Sequence, residues 1–450
     1  MISRIKWKNH NVLGNLELDF KKSDGTIYNT IILAGDNGTG KTTILNTLAE
    51  FLNLGSIEPF NFIDYSVGKS RFKARNNDNL ARLGFHERIN EKTKQSTIIH
   101  TNRNNDMDRL ENDKDDIRYY GYAYSKARTG FVTQKVKTSQ TEQLDMNKYE
   151  EDVDNSNDFT SIKQLIVDID TQDNAEWMNI SRGPNPIKIE TFNRKSRMYR
   201  FRNAFNDFFD KMKFDKVDNL NTDEKKIIFK KNGKEIEIDD LSTGEKQIVF
   251  RGAYLLKNVN GINNGIVLID EPELSLHPKW QEKILEYYRR MFRKNGVQSV
   301  QIIIATHSEY LIKSAIDNKD DILIIALKDD NGTIKVNKIN TPCVLPTMSA
   351  AEINYVVFGV ISTDYHNQLY GYLQVKNNKR TVKSMDEYIV NQSGIFEHKY
   401  EKQSSNGNTK YQTISTYVRN MIDHPPAVRP FTDTELKLSI EFLVKLCKLP

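Results

Sequence analysis

Three short apolar runs rise out of a polar chain: Ile31 to Ala34, Ile266 to Ile269 and Ile302 to Ala305. Each is bounded by glycine or polar residues, and a run of that length between turn signals reads as a strand buried in a sheet. Ile44 to Leu54 has helical apolar spacing, so the first run starts a strand, loop and helix in direct succession. Residues 2 to 20 alternate apolar and polar positions as edge strands do, with Ile2, Ile5 and Trp7, then Leu16, Leu18 and Phe20. Turns are signalled at Asn9-His10 and Gly14-Asn15. The aromatic alternation of Arg118 to Tyr124 predicts a further strand with Arg128 just beyond it, and Ile162, Leu165, Ile166 and Ile169 predict a helix over 161–178. Phe201, Phe205, Phe208, Phe209 and Met212 predict an amphipathic helix over 201–212. Glu235 to Ile238 reads as a strand, Ile322 to Leu327 and Thr333 to Val336 as a hairpin around Asp329-Asp330-Asn331-Gly332, and Ala350 onward, Asp364 to Leu373 and Thr432 to Leu446 as helices. Polar clusters at Asn76 to Asn79, Asn104 to Asp116 and Glu150 to Asp158 read as exposed loops. Buried strands alternating with helices make this an α/β chain with a mostly helical end.

The loop after the first strand brings in chemistry. It reads Gly35-Asp36-Asn37-Gly38-Thr39-Gly40-Lys41-Thr42-Thr43, the GxxxxGKT spacing of a phosphate-binding loop. Glycines allow consecutive backbone N–H groups to turn inward, and the following helix adds the positive end of its dipole, so the loop forms an anion nest. Lys41 can reach the outer phosphates of a nucleoside triphosphate, and the Thr42 hydroxyl can ligate Mg2+. The alternative is a glycine-rich turn with an incidental Gly-Lys-Thr. Alone, the loop says nucleotide and leaves the purpose open.

Composition narrows the class. The 450 residues are 38% hydrophobic, enough to bury one large core or two moderate ones. The N-terminal residues lack the apolar core of a signal peptide, and no apolar run is long enough to span a bilayer, so the expectation is a cytoplasmic protein with no membrane partner. Cys343 and Cys447 are far apart and lack metal-ligand spacing. A net charge of +5 suits a nucleic-acid partner and a solvated surface equally. The segment Arg194-Lys195-Ser196-Arg197-Met198-Tyr199-Arg200-Phe201-Arg202 sharpens that alternative: cations interleaved with aromatics can track a phosphate backbone, or can simply open a solvated helix.

Three later segments complete the loop. Leu241-Ser242-Thr243-Gly244-Glu245-Lys246-Gln247 is similar to the signature motif of ABC-type ATPases, in the form found in soluble SMC, RecF and OLD-like relatives. Asp270-Glu271 closes the second apolar run, and Glu273-Leu274-Ser275-Leu276-His277-Pro278 to Gln281 resembles the continuation typical of that soluble group. His307 closes the third run and matches the family's switch histidine. The resemblance implies an ATP- and Mg2+-dependent ATPase head. Residues 35–43 hold the phosphates, Thr42 and Asp270 the metal, Glu271 polarises the attacking water and His307 senses the terminal phosphate. Ser242, Thr243, Gly244 and Glu245 are implied to cap the nucleotide bound by a second protomer, and Ser275 to His277 to cross the interface, which makes the working unit a homodimer or a higher assembly of such dimers. The glutamine that joins the family's ATP site to its inserted lobe has candidates at Gln134, Gln140 and Gln143.

The expected organisation is an ABC-type head from residues 1–54 and 236–340, a compact α+β insert at 55–235, and a helical domain at 341–450. No sustained heptads occur, which speaks against a long SMC-type arm. Within the tail, Arg419 and His424 resemble the R-x4-H pair of HEPN-type ribonucleases; the other reading is a structural arginine and a histidine at a helix end before Pro425. The layout as a whole is similar to stand-alone ATPases of bacterial anti-phage systems such as Septu and some retrons, whose relatives work with an HNH nuclease subunit. That resemblance implies a switch controlling a nuclease or toxin. The alternatives are a HEPN-type ribonuclease fused to its own ATPase sensor and a RecF-like DNA-repair ATPase.

Overall fold

The computed structural model describes residues 1–81, 83–100, 113–128, 130–131, 133–137, 144–145, 149–151, 158–194, 196–218, 224–294, 296–318, 321–339, 343–392, 402–403, 410–425 and 430–449. The chain divides into two units, Met1–Val336 and Asn337–Pro450.

In the first unit, β1 (Ile2–Trp7), β2 (Glu17–Asp19) and β3 (Thr30–Gly35) lead into α1 (Lys41–Leu52), and β4 (Phe60–Val67), β5 (Ser70–Arg75), β6 (Phe85–Asn90) and β7 (Ser96–His100) follow. Six of these strands form one antiparallel sheet in the order β2-β1-β4-β5-β6-β7, with Ile5 opposite Ile63 and Ile63 opposite Ala74. The segment from residue 60 to 100, expected within an insert, therefore hydrogen-bonds directly to the N-terminal strands. Next come β8 (Tyr122–Ser125), β9 (Tyr149–Glu151), α2 (Asp158–Arg182), α3 (Tyr199–Phe208) and a three-stranded sheet of β10 (Met212–Asp218), β11 (Lys226–Lys231) and β12 (Lys234–Glu237). The unit closes with α4 (Thr243–Lys257), β13 (Ile266–Asp270), α5 (Pro278–Met291), β14 (Gln301–Thr306), α6 (Glu309–Asp317), β15 (Ile322–Asp330) and the greater part of β16 (Thr333–Lys338).

The central sheet has the order β16-β15-β3-β14-β13-β8-β9, and its pairings from β15 through β9 are parallel. Its register aligns Ile32 with Ile304 and Ile324, and every residue of β3, β13 and β14 is buried. Continuous apolar strands are what a parallel sheet covered on both faces requires. Ile31, Leu33, Leu268 and Ile303 share a core with Ile44, Leu48 and Trp7. Truncating one such side chain, as in Ile303→Ala, costs about 2–5 kcal/mol.

Two expected elements end differently. The segment from Arg118 opens as a 3-10 turn over Ile117–Tyr120, because Asp116 accepts hydrogen bonds from the Arg118 backbone N–H (2.9 Å) and guanidinium. The strand starts only at Tyr122. The helix expected to reach Met212 stops at Phe208: Phe209 is extended, Asn206 Oδ1 accepts the Phe214 N–H at 2.8 Å, and Met212 and Phe214 lie on β10. All five expected apolar residues are buried, since the strand carries the helix's apolar face onward at a different period.

The second unit holds five helices among its described residues: α7 (Ala350–Phe358), α8 (Thr363–Lys376), α9 (Val382–Val390), α10 (Ile414–Asp423) and α11 (Asp433–Cys447). Each is opened by a Ser or Thr whose side chain accepts a backbone N–H of the first turn: Ser349, Ser362, Thr381, Thr413 and Thr432. Tyr365, Leu369, Leu373, Val418, Ile440 and Leu443 form its core.

Candidate functional site

The loop between β3 and α1 emerges at the carboxyl end of the central sheet, where α/β folds place ligands. Gly40 sits at the N-cap of α1 with φ 81°, a left-handed conformation that favours glycine, and no side chain caps the helix. The first N–H groups of α1 thus have no side-chain partner in the first turn, which also lacks an acidic residue. Thr39 is held inward, its hydroxyl donating to the Asp36 carbonyl at 2.8 Å, while Asp36, Asn37 and Gly38 are exposed at the loop tip. Lys41 is only 5% exposed and spends its ammonium on the carbonyls of Gly35 (2.7 Å) and Asp36 (2.8 Å). Burial holds its pKa below the usual lysine value. A cation folded onto neutral carbonyls, beside free amide donors, fits a phosphate chain. Thr43 points its backbone carbonyl at the Thr47 hydroxyl (2.9 Å).

The neighbouring strand ends supply carboxylates. Thr42 donates from Oγ1 to Asp270 Oδ2 at 2.9 Å, across 228 residues of sequence. Asp270 is buried, its Oδ1 has no hydrogen-bond partner, and desolvation pushes its pKa up to about 6. A buried carboxylate oxygen left unpaired beside a threonine hydroxyl is a donor set that fits Mg2+. Glu271 follows at φ 43°, a strained position for a side-chain-bearing residue. Its Oε1 lies 3.4 Å from His307 Nδ1, and that contact lowers the carboxyl pKa and raises the imidazole's. Glu273, 4% exposed, accepts at Oε1 from the Thr306 hydroxyl (2.7 Å) and the His307 N–H (2.8 Å).

The signature segment forms the start of α4. Ser242 is the N-cap and makes a capping box with Glu245. Ser242 and Thr243 are exposed, whereas Glu245 is buried and ion-paired with Lys231 at 2.7 Å, so its carboxylate is already used within the fold. Gly244 lies against the segment after Glu273: a Cβ there would sit 2.8 Å from the Ser275 carbonyl oxygen. Gln281 then donates to the Leu276 carbonyl (2.9 Å) and accepts from Ser308 (2.6 Å), linking that segment to the turn bearing His307.

Sequence reasoning overlooked Arg251. It is fully buried on α4 and donates to Ser125 Oγ (2.8 Å) and to the carbonyls of Ser125 (3.0 Å), Asp270 (2.7 Å) and Glu271 (3.1 Å), clamping the ends of β8 and β13. An arginine inside the apolar run Ile248 to Leu256 is the signal that could have found it.

The remaining candidates lie elsewhere. Arg197 pairs with Asp173 and Glu176, Arg200 with Asp145, and Arg202 stacks over Phe214, so these cations serve internal contacts; Lys195 falls outside the described residues. Gln134 is exposed, with its backbone bonded to Thr160 and Lys163, while Gln140 and Gln143 fall outside the described residues. Arg419 pairs with Asp423 at 2.7 Å on its own helix, and His424 is exposed at the end of α10. A cavity of about 540 Å3 lined by Tyr199, Phe208, Tyr287 and Met291 contains none of the residues described above for the loop.

The family model described as "AAA domain, putative AbiEii toxin, Type IV TA system" matches residues 31–313, a span from the phosphate-type loop past His307. The Septu protein PtuA of Bacillus thuringiensis is 22% identical over 305 residues, covering 66% of this chain and 70% of its own. The retron Ec83 probable ATPase of Escherichia coli is 42% identical over 57 residues, 12% of this chain and 10% of its own. Among solved structures, an SMC head domain from Thermotoga maritima covers 76% of this chain and 99% of its own at 13% identity and a TM-score of 0.37.

Proposed function

The chain belongs to this AAA-domain family, as an ATPase of the ABC type, and on that premise we propose that it is a dimeric, ATP-driven switch that controls an associated nuclease or toxin in anti-phage defence. The observation that carries the reading is the meeting of Thr42 and Asp270 beside Lys41, Glu271 and His307 at the ends of adjacent strands.

In this reading Lys41 and the amides of α1 bind the outer phosphates of ATP, and Thr42 with Asp270 holds Mg2+, which when bound neutralises charge on the phosphate oxygens. Glu271, kept ionised by its neighbours, orients water and accepts its proton. His307 holds Glu271 when the site is at rest and turns to the terminal phosphate when it is filled. Ser242 and Thr243 present a capped, exposed helix start, and no hydrogen bond joins them to the loop of their own chain among the described residues. Such a surface suits capping of a nucleotide held by a second copy, with ATP bridging two protomers.

The defence role follows the two relatives, which are named for Septu and retron systems. A nuclease partner of the HNH type is the one the resemblance implies, acting in the cytoplasm, with nucleic acid contacted chiefly by the partner, since three of the five cations at 194–202, Arg197, Arg200 and Arg202, are already engaged. The test is the native mass of tagged protein purified from cells carrying its neighbouring genes. A discrete complex with a second, nuclease-like chain is expected. A bare homodimer would contradict the partner and shift weight to RecF-like repair or to a ribonuclease in the tail.

A further inference from the structure

Two carboxylates converge on one ring nitrogen. Glu271 Oε1 stands 3.4 Å and Glu273 Oε1 3.5 Å from His307 Nδ1, and the Lys41 ammonium also acts on this histidine. The two acids are built differently. The Glu271 side chain is 23% exposed and follows a strained backbone, so it can swing toward water. The Glu273 side chain is 4% exposed and tied by the Thr306 hydroxyl and the His307 N–H, with Oε2 buried and unpartnered.

That asymmetry matters for the reading above, on which this inference rests. A glutamate bound to an imidazole is not free to take a proton from water. If it leaves, Nδ1 loses its partner, and an imidazole with no second acceptor loses both its orientation and its preferred tautomer. We propose that Glu273 is a positioning residue for His307: its fixed carboxylate anchors the turn and keeps the Nδ1 hydrogen of the ring toward itself, so that Glu271 can leave for water while Nε2 remains an acceptor or donor for the nucleotide. Glu273→Gln keeps an oxygen for the Thr306 hydroxyl and the His307 N–H but removes the charge that faces the ring.

The deciding experiment needs no nucleotide. In protein labelled with nitrogen-15 histidine at mildly alkaline pH, the His307 signal, identified by its loss in His307→Ala, reports which nitrogen carries the proton. With Glu271→Ala, which leaves no acceptor at that position, Glu273 is untouched, and the Nδ1–H tautomer is expected to persist. Adding Glu273→Gln is expected to shift at least about half of the population to Nε2–H. An Nε2–H tautomer in Glu271→Ala alone overturns the proposal, even if the double variant fails to fold. In turnover, Glu273→Gln is expected to lower kcat about 10- to 100-fold with KM for ATP within about twofold, and to add nothing in a His307→Ala background. Wild-type kcat in Glu273→Gln, with turnover strongly reduced in both Glu271→Gln and His307→Ala, overturns this inference and leaves the catalytic reading standing. Wild-type turnover in Glu271→Gln and His307→Ala overturns the catalytic reading instead.

Discussion

Two pairs of residues invite comparison. Thr42 and Asp270 are far apart in sequence and meet at 2.9 Å, because α1 and β13 bring them together at the carboxyl end of the central sheet. Arg419 and His424 are close in sequence, yet α10 gives Arg419 to Asp423 and leaves His424 exposed where the helix ends. The first pair belongs to a place with unspent chemistry: an unpartnered Asp270 oxygen, uncapped helix amides, and a lysine resting on carbonyls. The second sits in an ordinary helix, stabilised by an i,i+4 ion pair worth only a few tenths of a kcal/mol. A short motif is evidence of a site only where topology delivers groups with nothing else to bind.

The contrast can be broken in a graded way. Lys41→Ala is expected to abolish ATP binding, measured by calorimetry, because no other side chain in the loop carries a cation. Glu271→Gln is expected to bind ATP with near-normal affinity while single-turnover hydrolysis falls about 10²- to 10⁴-fold; equal turnover would remove the catalytic role from that carboxylate. Arg251→Leu strands the Ser125, Asp270 and Glu271 carbonyls and is expected to cost about 3–5 kcal/mol in urea unfolding. Acid sharpens the picture at a smaller scale. His86 is buried with neither ring nitrogen partnered, and desolvation lowers its pKa from the usual 6.5 to about 3. The unfolded chain therefore binds the proton first, so stability is intact above pH 6.5 and declines as pH falls toward 3. About 2 kcal/mol should be lost between pH 6.5 and 5, and His86→Leu should remove that share of the pH slope. The smallest effect belongs to the tail: Arg419→Ala and His424→Ala should leave ATP turnover unchanged and stability within about 0.5 kcal/mol. Loss of toxicity in cells with unchanged turnover would revive the ribonuclease alternative.

Much of this was legible in the residues. The three apolar runs are β3, β13 and β14, and the polar residues that end them are those gathered at the carboxyl end of the sheet. The family match across residues 31–313 agrees with the ABC-type resemblance read from the four segments. Local chemistry hid the rest. Asp116 turned an expected strand into a 3-10 turn, and the strand β10 continued the apolar face of α3 and so disguised its end. The helix starts at Thr381 and Thr413 lack an acidic residue three positions on, so only their geometry reveals them. Glu273 and Arg251 carry their meaning through burial and partners, which periodicity does not encode. The extent of the N-terminal sheet was equally hidden, because pairing of β4 with β1 depends on register rather than on composition.

The central claim is that ATP joins two copies of this chain through Ser242 and Thr243 of one and the loop of the other. The most direct measurement is the native mass of Glu271→Gln with and without ATP and Mg2+. A dimer carrying two ATP molecules that reverts to monomer when Ser242 is replaced by Arg is the predicted result. A protein that binds ATP and stays monomeric, or a dimer indifferent to both nucleotide and Ser242→Arg, would contradict the account.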